Sequence, residues 1–430
     1  MPSHFPRQVV VLGATGSIGE SAAKVARALP EQMKIVGLSG YNNQQRLLEL
    51  AQEFQPHAIS TNTAAHASWL AERLDTTAST RALSKFADAD EVQGVDGAQK
   101  RSVHKVLETS STGATPQLAA SVEFRKSSIF HGEEGLISLA TLPEADLALI
   151  AIVGTAGLRP ALAALEQGKD LAVASKEILV MAGEEVMATA KKYQKHILPV
   201  DSEHSALFQC LEGRDPATVR RLILTCSGGP FRKMPAAELP HVTPAMALRH
   251  PTWSMGKKIS IDSATLFNKG LEMIEARWLF DIPMEKIDVV IHPESIIHSM
   301  VEFVDGSILA QMSQNSMTLP IQYAVTYPHR VAGPAAYLDL PSIGRLHFEQ
   351  PRHEDFPALQ LARQAGSIGG TLPAVLNAAN EAAVARFLAG EIAFPEIWKS
   401  VARAMKSISH VEHPSLDELI TADQAARALK

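Results

Sequence analysis

The chain has 430 residues, with 40 Lys and Arg against 46 Asp and Glu, for a formal net charge of −6. At ~150 residues per domain, that length favours roughly three domains. A sequence-independent nucleic-acid binder draws its affinity from basic excess, so the acidic balance disfavours that class. A hydrophobic share of 46% and a charged share of 20% describe an ordinary globular chain with apolar material for more than one core. Cys210 and Cys226 are too few for a disulfide framework or a four-thiolate zinc site, which points to a reducing compartment. The longest apolar stretch, Leu147 to Leu158, falls short of the ~20 residues a bilayer span needs. The start, MPSHFPRQ, runs straight into VVVLG and leaves no room for a signal peptide. These features predict a soluble, cytoplasmic protein with neither a nucleic-acid nor a membrane partner.

In chain order, Val9–Leu12 is a β-branched run followed at once by Gly13; SAAKVARAL reads as a helix closed by Pro30, and MKIVGLSG as a second strand. Strand, glycine-rich turn, helix and strand make a βαβ unit and predict a parallel, doubly wound sheet. LALIAIV (147–153) and DLAVAS (170–175) continue it as strands flanking the helix LRPALAALEQG, so a nucleotide-binding domain of Rossmann-like type is expected over 1–200. Between about 75 and 140, Ser, Thr, Gly and charge dominate with weak periodicity, which reads as surface elaboration with part-formed helices. Residues 201–327 mix strand-like pieces (VRRLILTCS, IDVVIH, SMVEFVDGSILAQM) with one strong helix, Leu266–Phe280, and read as an α+β domain. Residues 328–352 carry several prolines and glycines and read as a linker, and 353–430 reads as a helical bundle.

Four constellations carry chemistry. Gly13-Ala14-Thr15-Gly16-Ser17-Ile18-Gly19 lies between a strand and a helix, where glycines admit a pyrophosphate and the helix start offers N–H groups and its dipole. The end of the second strand reads Gly40-Tyr41-Asn42-Asn43, with no acid for a ribose 2′-hydroxyl, which favours NADP over NAD; Arg46 is the nearest base. In PVDSEHS, read as a strand, Asp201 and Glu203 share a face while Ser202 and His204 turn away. An oxygen-only acidic pair suits Mg²⁺ or Mn²⁺ better than zinc. In IDSATLFNKGLEMIEARWLF, Asp262 and Ser263 stand ahead of a helix as a cap. On that helix Asn268 and Glu272 lie about 40° apart around the axis, and Lys269 about 100° from Asn268. Such a face can give donors to a phosphate ester and an acid to a metal, although Lys269 and Glu272 also fit a plain surface ion pair.

Further pieces fit around these. Ser227 precedes Gly228-Gly229, a turn able to expose N–H groups to an anion. RHPTWSMGKK (249–258) places His250 and Trp253 in a non-periodic segment suited to a flap over about 247–258. Lys176 is read at the end of a buried strand, where doubly wound sheets hold ligands. His292, Glu294 and His298 (HPESIIH) depart from the H-E-x-x-H pattern and read as core or supporting residues rather than a zinc site.

GATGSIG, the SKE at 175–177, PVDSEHS, SGGPF, RHPTWSMG, DSATLFNKGLE and NAANEAA occur in an order that resembles the 1-deoxy-D-xylulose 5-phosphate reductoisomerase family almost end to end. The resemblance implies an NADPH-binding N-terminal domain, a central catalytic domain, a C-terminal helical bundle and a homodimer. It assigns Asp201, Glu203 and Glu272 to a divalent metal, Mg²⁺ or Mn²⁺, with Co²⁺ a further candidate. It assigns Lys176, Ser202, Ser227, His250, Ser263, Asn268 and Lys269 to the phosphorylated sugar substrate, which Glu203 and Glu272 would also meet. Ser227, Ser263, Asn268 and Lys269 would surround its phosphate. Lys176 and His250 join the three acids as implied catalytic groups. Thr15, Gly16, Ser17, Ile18, Gly40, Tyr41, Asn42, Ser175, Glu177 and Gly256 would face the cofactor. The sequence departs from the family pattern at Tyr41, where Lys or Arg is usual, at Ser175, where Asn is usual, and in the length of 75–140.

The expected activity is therefore NADPH- and metal-dependent rearrangement and reduction of 1-deoxy-D-xylulose 5-phosphate to 2-C-methyl-D-erythritol 4-phosphate, in isoprenoid biosynthesis. One rival is a metal-assisted NAD(P) dehydrogenase of another phosphorylated hydroxy-carbonyl compound. The other is a non-catalytic dinucleotide-binding sensor, which has no use for Asp201, Glu203, Glu272 and Lys176 together.

Overall fold

The computed structural model describes residues 5–74, 127–249 and 256–429. Within them, β1 (Arg7–Leu12), β2 (Met33–Ser39), β3 (Ala58–Thr61), β4 (Ser128–His131), β5 (Leu147–Ile150), β6 (Asp170–Val173) and β7 (Ile197–Pro199) form one parallel sheet. Its order is β4-β3-β2-β1-β5-β6-β7, the doubly wound pattern expected from the βαβ reading. β1, β5 and β6 are buried almost throughout, which is why their sequences read as short apolar runs rather than alternating ones. Helices on the two faces complete separate apolar cores, with Val9, Val11 and Leu149 facing one and Val10, Leu12 and Ile150 the other.

β8 (Val219–Cys226), β9 (Ile287–Ile291), β10 (Ile297–Phe303) and β11 (Ile308–Met312) form a second sheet, ordered β11-β10-β8-β9. β8 runs parallel to β9 and antiparallel to β10, so this sheet is mixed, as an α+β domain requires. Its buried face joins the C-terminal helices Ala358–Ile368, Leu372–Leu388, Glu396–Ser407 and Leu416–Ala428 in the largest apolar cluster. From the 328–352 stretch, Glu349 pairs by backbone with Ile291.

Three expectations change. The 75–140 stretch contains edge strand β4 and the helix Gly132–Ala140, while 75–126 lies outside the described residues. β4 is only half-buried, so it carries no strong apolar signature. The helix Thr318–Thr326, in a stretch read with the central domain, sends Ile321, Ala324 and Val325 into the core beneath the seven-stranded sheet. There Arg7 is buried, paired with Asp170 and bonded to the Ala324 carbonyl at 3.1 Å. The strong helix expected over Leu266–Phe280 is observed as Phe267–Phe280, but a first helix, Lys257–Thr265, precedes it across Leu266, whose φ of 67° is left-handed. Asp262 and Ser263 therefore sit inside the first helix and cap neither. Leu271 and Ile274 are fully buried and Trp278 packs against them, as the stripe reading expected.

The position of the Phe267–Phe280 helix against Lys176–Lys192 is set by a small residue. A Cβ on Gly183 would lie 2.2 Å from the Trp278 ring. Gly183→Ala is expected to destabilise the protein by about 1–3 kcal/mol through overpacking, read as a lower unfolding midpoint in urea. An unchanged midpoint would show that the ring moves aside freely.

Candidate active site

The strands that carry the site end level with one another. Leu12 pairs with Ile150, Ile150 with Val173 and Val173 with Pro199. Gly13, Ala151, Lys176 and Asp201 follow these ends, at the carboxyl edge where doubly wound sheets bind ligands. Gly13 has φ of 94°, and a Cβ there would meet the Ala151 carbonyl oxygen at 2.5 Å. The turn is fixed to β2 by Gly13 N donating to Ser39 Oγ (2.9 Å) and Ala14 N donating to the Ser39 carbonyl (2.7 Å). Gly16 is the N-cap of the Ser17–Ala28 helix and supplies no side-chain cap, which leaves the helix start suited to phosphate oxygens.

Ser17, Ile18, Ser175, Glu177 and Gly256 line a cleft of about 600 Å³. Thr15, Gly16, Gly40, Tyr41 and Asn42 lie outside its wall, on the turns after β1 and β2. Tyr41 is 65% exposed. Arg46 is engaged with Glu20 through two bonds (2.6 and 2.9 Å) and with Glu49 (2.7 Å).

The acids gather deeper in the same cleft. PVDSEHS is not a strand: β7 stops at Pro199, and Asp201 caps the helix Ser202–Leu211, where Glu203 occupies the first turn. An aspartate just before a helix is the preferred cap, and that local preference overrides the alternating reading. The two carboxylates still converge, because a cap and the helix's second residue both point off the N-terminal end. Lys176 likewise opens the helix Lys176–Lys192 rather than ending a strand.

Oxygens of Asp201, Glu203 and Glu272 come within 4.8 Å of one another. Lys176 Nζ lies 2.6 Å from Asp201, 3.0 Å from Asn268 Oδ1 and 3.5 Å from Glu272. Lys269 Nζ lies 2.8 Å from Glu203 and is also paired with Glu272, to which Asn268 Nδ2 donates. The alternative of an exposed Lys269–Glu272 pair is excluded, since both residues are at most 2% exposed.

Burial opposes charge on Asp201, but the Lys176 ammonium outweighs it and holds that carboxyl well below the usual range. Burial, reinforced by Asp201 and Glu203, instead pushes Glu272 up to about 7 despite the two lysines. The group is thus short of positive charge. Its donors are all hard carboxylate oxygens, so it could hold a divalent cation of the Mg²⁺ or Mn²⁺ kind.

His204 does not turn away from these acids. Its Nε2 donates to the Glu272 carbonyl at 2.9 Å, and its Nδ1 faces Glu275 at 3.4 Å and Asp201 at 3.9 Å, with His204 and Glu275 fully buried. Glu275 was missed by the sequence reading, although it stands one turn beyond Glu272 on the same helix.

Ser227 and Ser263 line the same cleft as Asn268, Lys269 and Ser202, whose Oγ donates to Glu203. Gly228 and Gly229 both adopt positive φ, 78° and 66°, as the exposed-amide turn requires. Ser295, within the HPESIIH stretch, and Asn315 also line the cleft, and neither had been read as a site residue. His250 and Trp253 lie outside the described residues, as does the 250–255 part of the flap expected over about 247–258, whose last residues, Lys257 and Lys258, open a helix. His292 and His298 are buried and bonded to the His347 and Ser313 carbonyls, in keeping with supporting roles.

The sequence profile of 1-deoxy-D-xylulose 5-phosphate reductoisomerase matches residues 9–109 and 95–183. Two C-terminal-domain profiles of the same enzyme match 197–280 and 312–429. The chain belongs to the 1-deoxy-D-xylulose 5-phosphate reductoisomerase family. It is 47% identical over 419 residues to the enzyme of that name from Symbiobacterium thermophilum, covering 97% of this chain and 96% of that one. It is 44% identical over 421 residues to that from Pelotomaculum thermopropionicum, covering 98% and 97%. Among solved structures, the Zymomonas mobilis reductoisomerase in complex with NADPH matches with a TM-score of 0.81 at 38% identity, covering 98% of this chain and 97% of that one. A reductoisomerase in complex with NADPH, fosmidomycin and magnesium matches with a TM-score of 0.83 at 36% identity, covering 98% and 96%. Among the described residues, no helix is long and apolar enough to cross a membrane.

A cation entering the carboxylate group must displace the proton that Glu272 holds below about pH 7. Affinity for Mn²⁺ is therefore expected to fall by up to about tenfold per pH unit below that value and to level off above it. Titration calorimetry at several pH values checks this; an affinity independent of pH across neutrality would remove Glu272 from the binding group.

Proposed function

We propose that the chain catalyses the NADPH- and divalent-metal-dependent rearrangement and reduction of 1-deoxy-D-xylulose 5-phosphate to 2-C-methyl-D-erythritol 4-phosphate, a step of non-mevalonate isoprenoid biosynthesis. The observation that carries this reading is one cleft containing Asp201, Glu203 and Glu272, two buried lysines and the wall of a dinucleotide turn. The non-catalytic rival gives no reason to bury two ammonium groups against three acids, which costs desolvation unless a ligand completes the set.

Asp201, Glu203 and Glu272 would hold Mg²⁺, Mn²⁺ or Co²⁺, which when bound supplies Lewis acidity to neighbouring oxygens of the sugar. NADPH supplies the hydride that reduces the rearranged aldehyde. The chain's own residues do the rest. Lys176, bonded to Asp201 and close to Glu272, offsets acid charge so that the substrate's developing negative oxygens are tolerated.

Ser227, Ser263, Asn268 and Lys269 bind the phosphate ester away from the reacting carbons, and that remote anchoring orients the carbon–carbon bond that breaks and reforms. Ser202 and His250 contact the sugar. Thr15 to Ile18, Gly40 to Asn42, Ser175, Glu177 and Gly256 face the cofactor. With Arg46 engaged by Glu20 and Glu49 and Tyr41 in the usual basic position, preference for NADPH over NADH rests on the turn after β2. The functional unit is a homodimer.

Turnover is tested by NADPH oxidation with 1-deoxy-D-xylulose 5-phosphate, with and without EDTA, and with NMR of the product. Methylerythritol phosphate, formed only with metal, is expected; an unrearranged polyol would instead establish a simple dehydrogenase. Glu272→Gln is expected to abolish turnover while the far-UV circular dichroism stays unchanged, and normal activity in that variant would overturn its role. Lys269→Ala should lower kcat/KM for the sugar phosphate by roughly 10- to 100-fold, the worth of one charge-assisted bond; an unaltered value would remove it from the phosphate site.

A further inference from the structure

Lys258, the last residue of the stretch read as a flap, was given no role in binding metal, substrate or cofactor, yet its ammonium joins two carboxylates from separate helices. It lies two residues beyond Gly256, in the first turn of the helix Lys257–Thr265, on the wall of the cleft. Its Nζ is 2.7 Å from Asp262 Oδ2 and 3.3 Å from Glu177 Oε1. Asp262 is 1% exposed, and its other oxygen accepts from Asn380 Nδ2 at 2.8 Å, on the fully buried face of the C-terminal helix Leu372–Leu388. Glu177 is itself 7% exposed, in the first turn of the helix that Lys176 opens.

The remaining neighbour of Glu177 is Ser175 Oγ, 3.2 Å from Oε2 but also 3.1 Å from the Gly154 carbonyl. One hydroxyl proton cannot serve both acceptors fully, so Lys258 is the fixed counter-charge in direct contact with this carboxylate. Lys176, next in sequence, is committed to Asp201 and Asn268.

We infer that Lys258 is a positioning residue for the nicotinamide cofactor: bridging Asp262 and Glu177, it holds the Glu177 carboxylate in place on the cofactor wall and offsets part of its charge. The inference rests on the proposed placement of Glu177 against the cofactor. Its consequence is electrostatic. The oxidised nicotinamide ring carries a positive charge and the reduced ring is neutral, so an uncompensated carboxylate at that wall would hold product NADP⁺ more tightly than substrate NADPH. With Lys258 shared between Asp262 and Glu177, part of that negative charge is offset and the bias is reduced. The tie through Asp262 to Asn380 fixes the ammonium from behind, so that it answers to Glu177 rather than to solvent.

The test is the ratio of dissociation constants, Kd(NADPH)/Kd(NADP⁺), measured by fluorescence on the whole protein. Lys258→Met is expected to raise this ratio by about tenfold, the effect of one uncompensated nearby charge. KM for the sugar phosphate should stay within about twofold of the wild-type value, because its proposed anchors are untouched. Lys258→Arg should bring the ratio back toward wild type, and Glu177→Gln should shift it the opposite way, since one negative charge is then removed from the wall while Lys258 keeps Asp262. A structural loss would lower both affinities together and spare the ratio.

An unchanged ratio in Lys258→Met, or in Glu177→Gln should the first variant not fold, overturns the inference. A sugar-phosphate KM that moves in step with the cofactor does so too. Wild-type protein that binds NADPH but does not turn over the sugar phosphate would sink the proposed function alone, because the ratio is read without turnover.

Discussion

Three carboxylates pressed into one buried space would fly apart or take up protons without compensation, and the site is organised around that repulsion. Two ammonium groups offset part of it. Lys176 takes Asp201 and nears Glu272, and Lys269 bridges Glu203 and Glu272. The balance remains negative by one, and the shortfall shows in Glu272, whose carboxyl is pushed up to about 7 while that of Asp201 is driven down. Acids in one cluster are thereby set apart, because burial and the neighbouring acids outweigh the lysines at Glu272 but not at Asp201. A dication fits such a group electrostatically, whereas a neutral ligand would leave the strain in place.

Holding five charged side chains together from distant parts of the chain requires a rigid frame. The frame is the level carboxyl edge of β1, β5, β6 and β7, from which both Lys176 and Asp201 emerge at helix starts. Opposite stands the Phe267–Phe280 helix, pressed against Lys176–Lys192 at Gly183 and so close that Lys176 spans the gap to Asn268 and Glu272. The apolar side of that helix, Leu271 and Ile274, is buried in the largest core, so its charged side cannot rotate away from the cleft. Packing energy is converted here into electrostatic placement.

Much of this was legible in the sequence because it is local. The glycine turn between β1 and its helix, and the spacing of Asn268, Lys269 and Glu272, follow from periods of two or 3.6 residues. Asp201 and Glu203 were grouped correctly but by the wrong geometry, since the capping preference of Asp201 competes with strand alternation and wins. The same competition hid His204, which a helix brings back toward Asp201 and a strand would not. What no local pattern encodes is pairing across the fold. Lys269 with Glu203, Lys258 with Glu177 and Asp262 with Asn380 join residues from separate elements, and only the packed structure brings them within reach. Edge strand β4 was missed for a related reason, since a half-exposed strand carries little apolar signal.

Tyr41 and Ser175, where the sequence departs from the expected pattern, lie outside the cleft wall and on it beside Glu177, not among Asp201, Glu203 and Glu272. Tyr41 is exposed beyond the turn after β2, and Arg46 is taken up by two glutamates, so neither side chain is committed to a neighbour in the cleft. Ser175 replaces a longer amide yet keeps contact with Glu177, where Lys258 already supplies the counter-charge. The acid cluster has no such latitude, because its two ammonium groups are buried against three acids, and removing either leaves a buried carboxylate uncompensated.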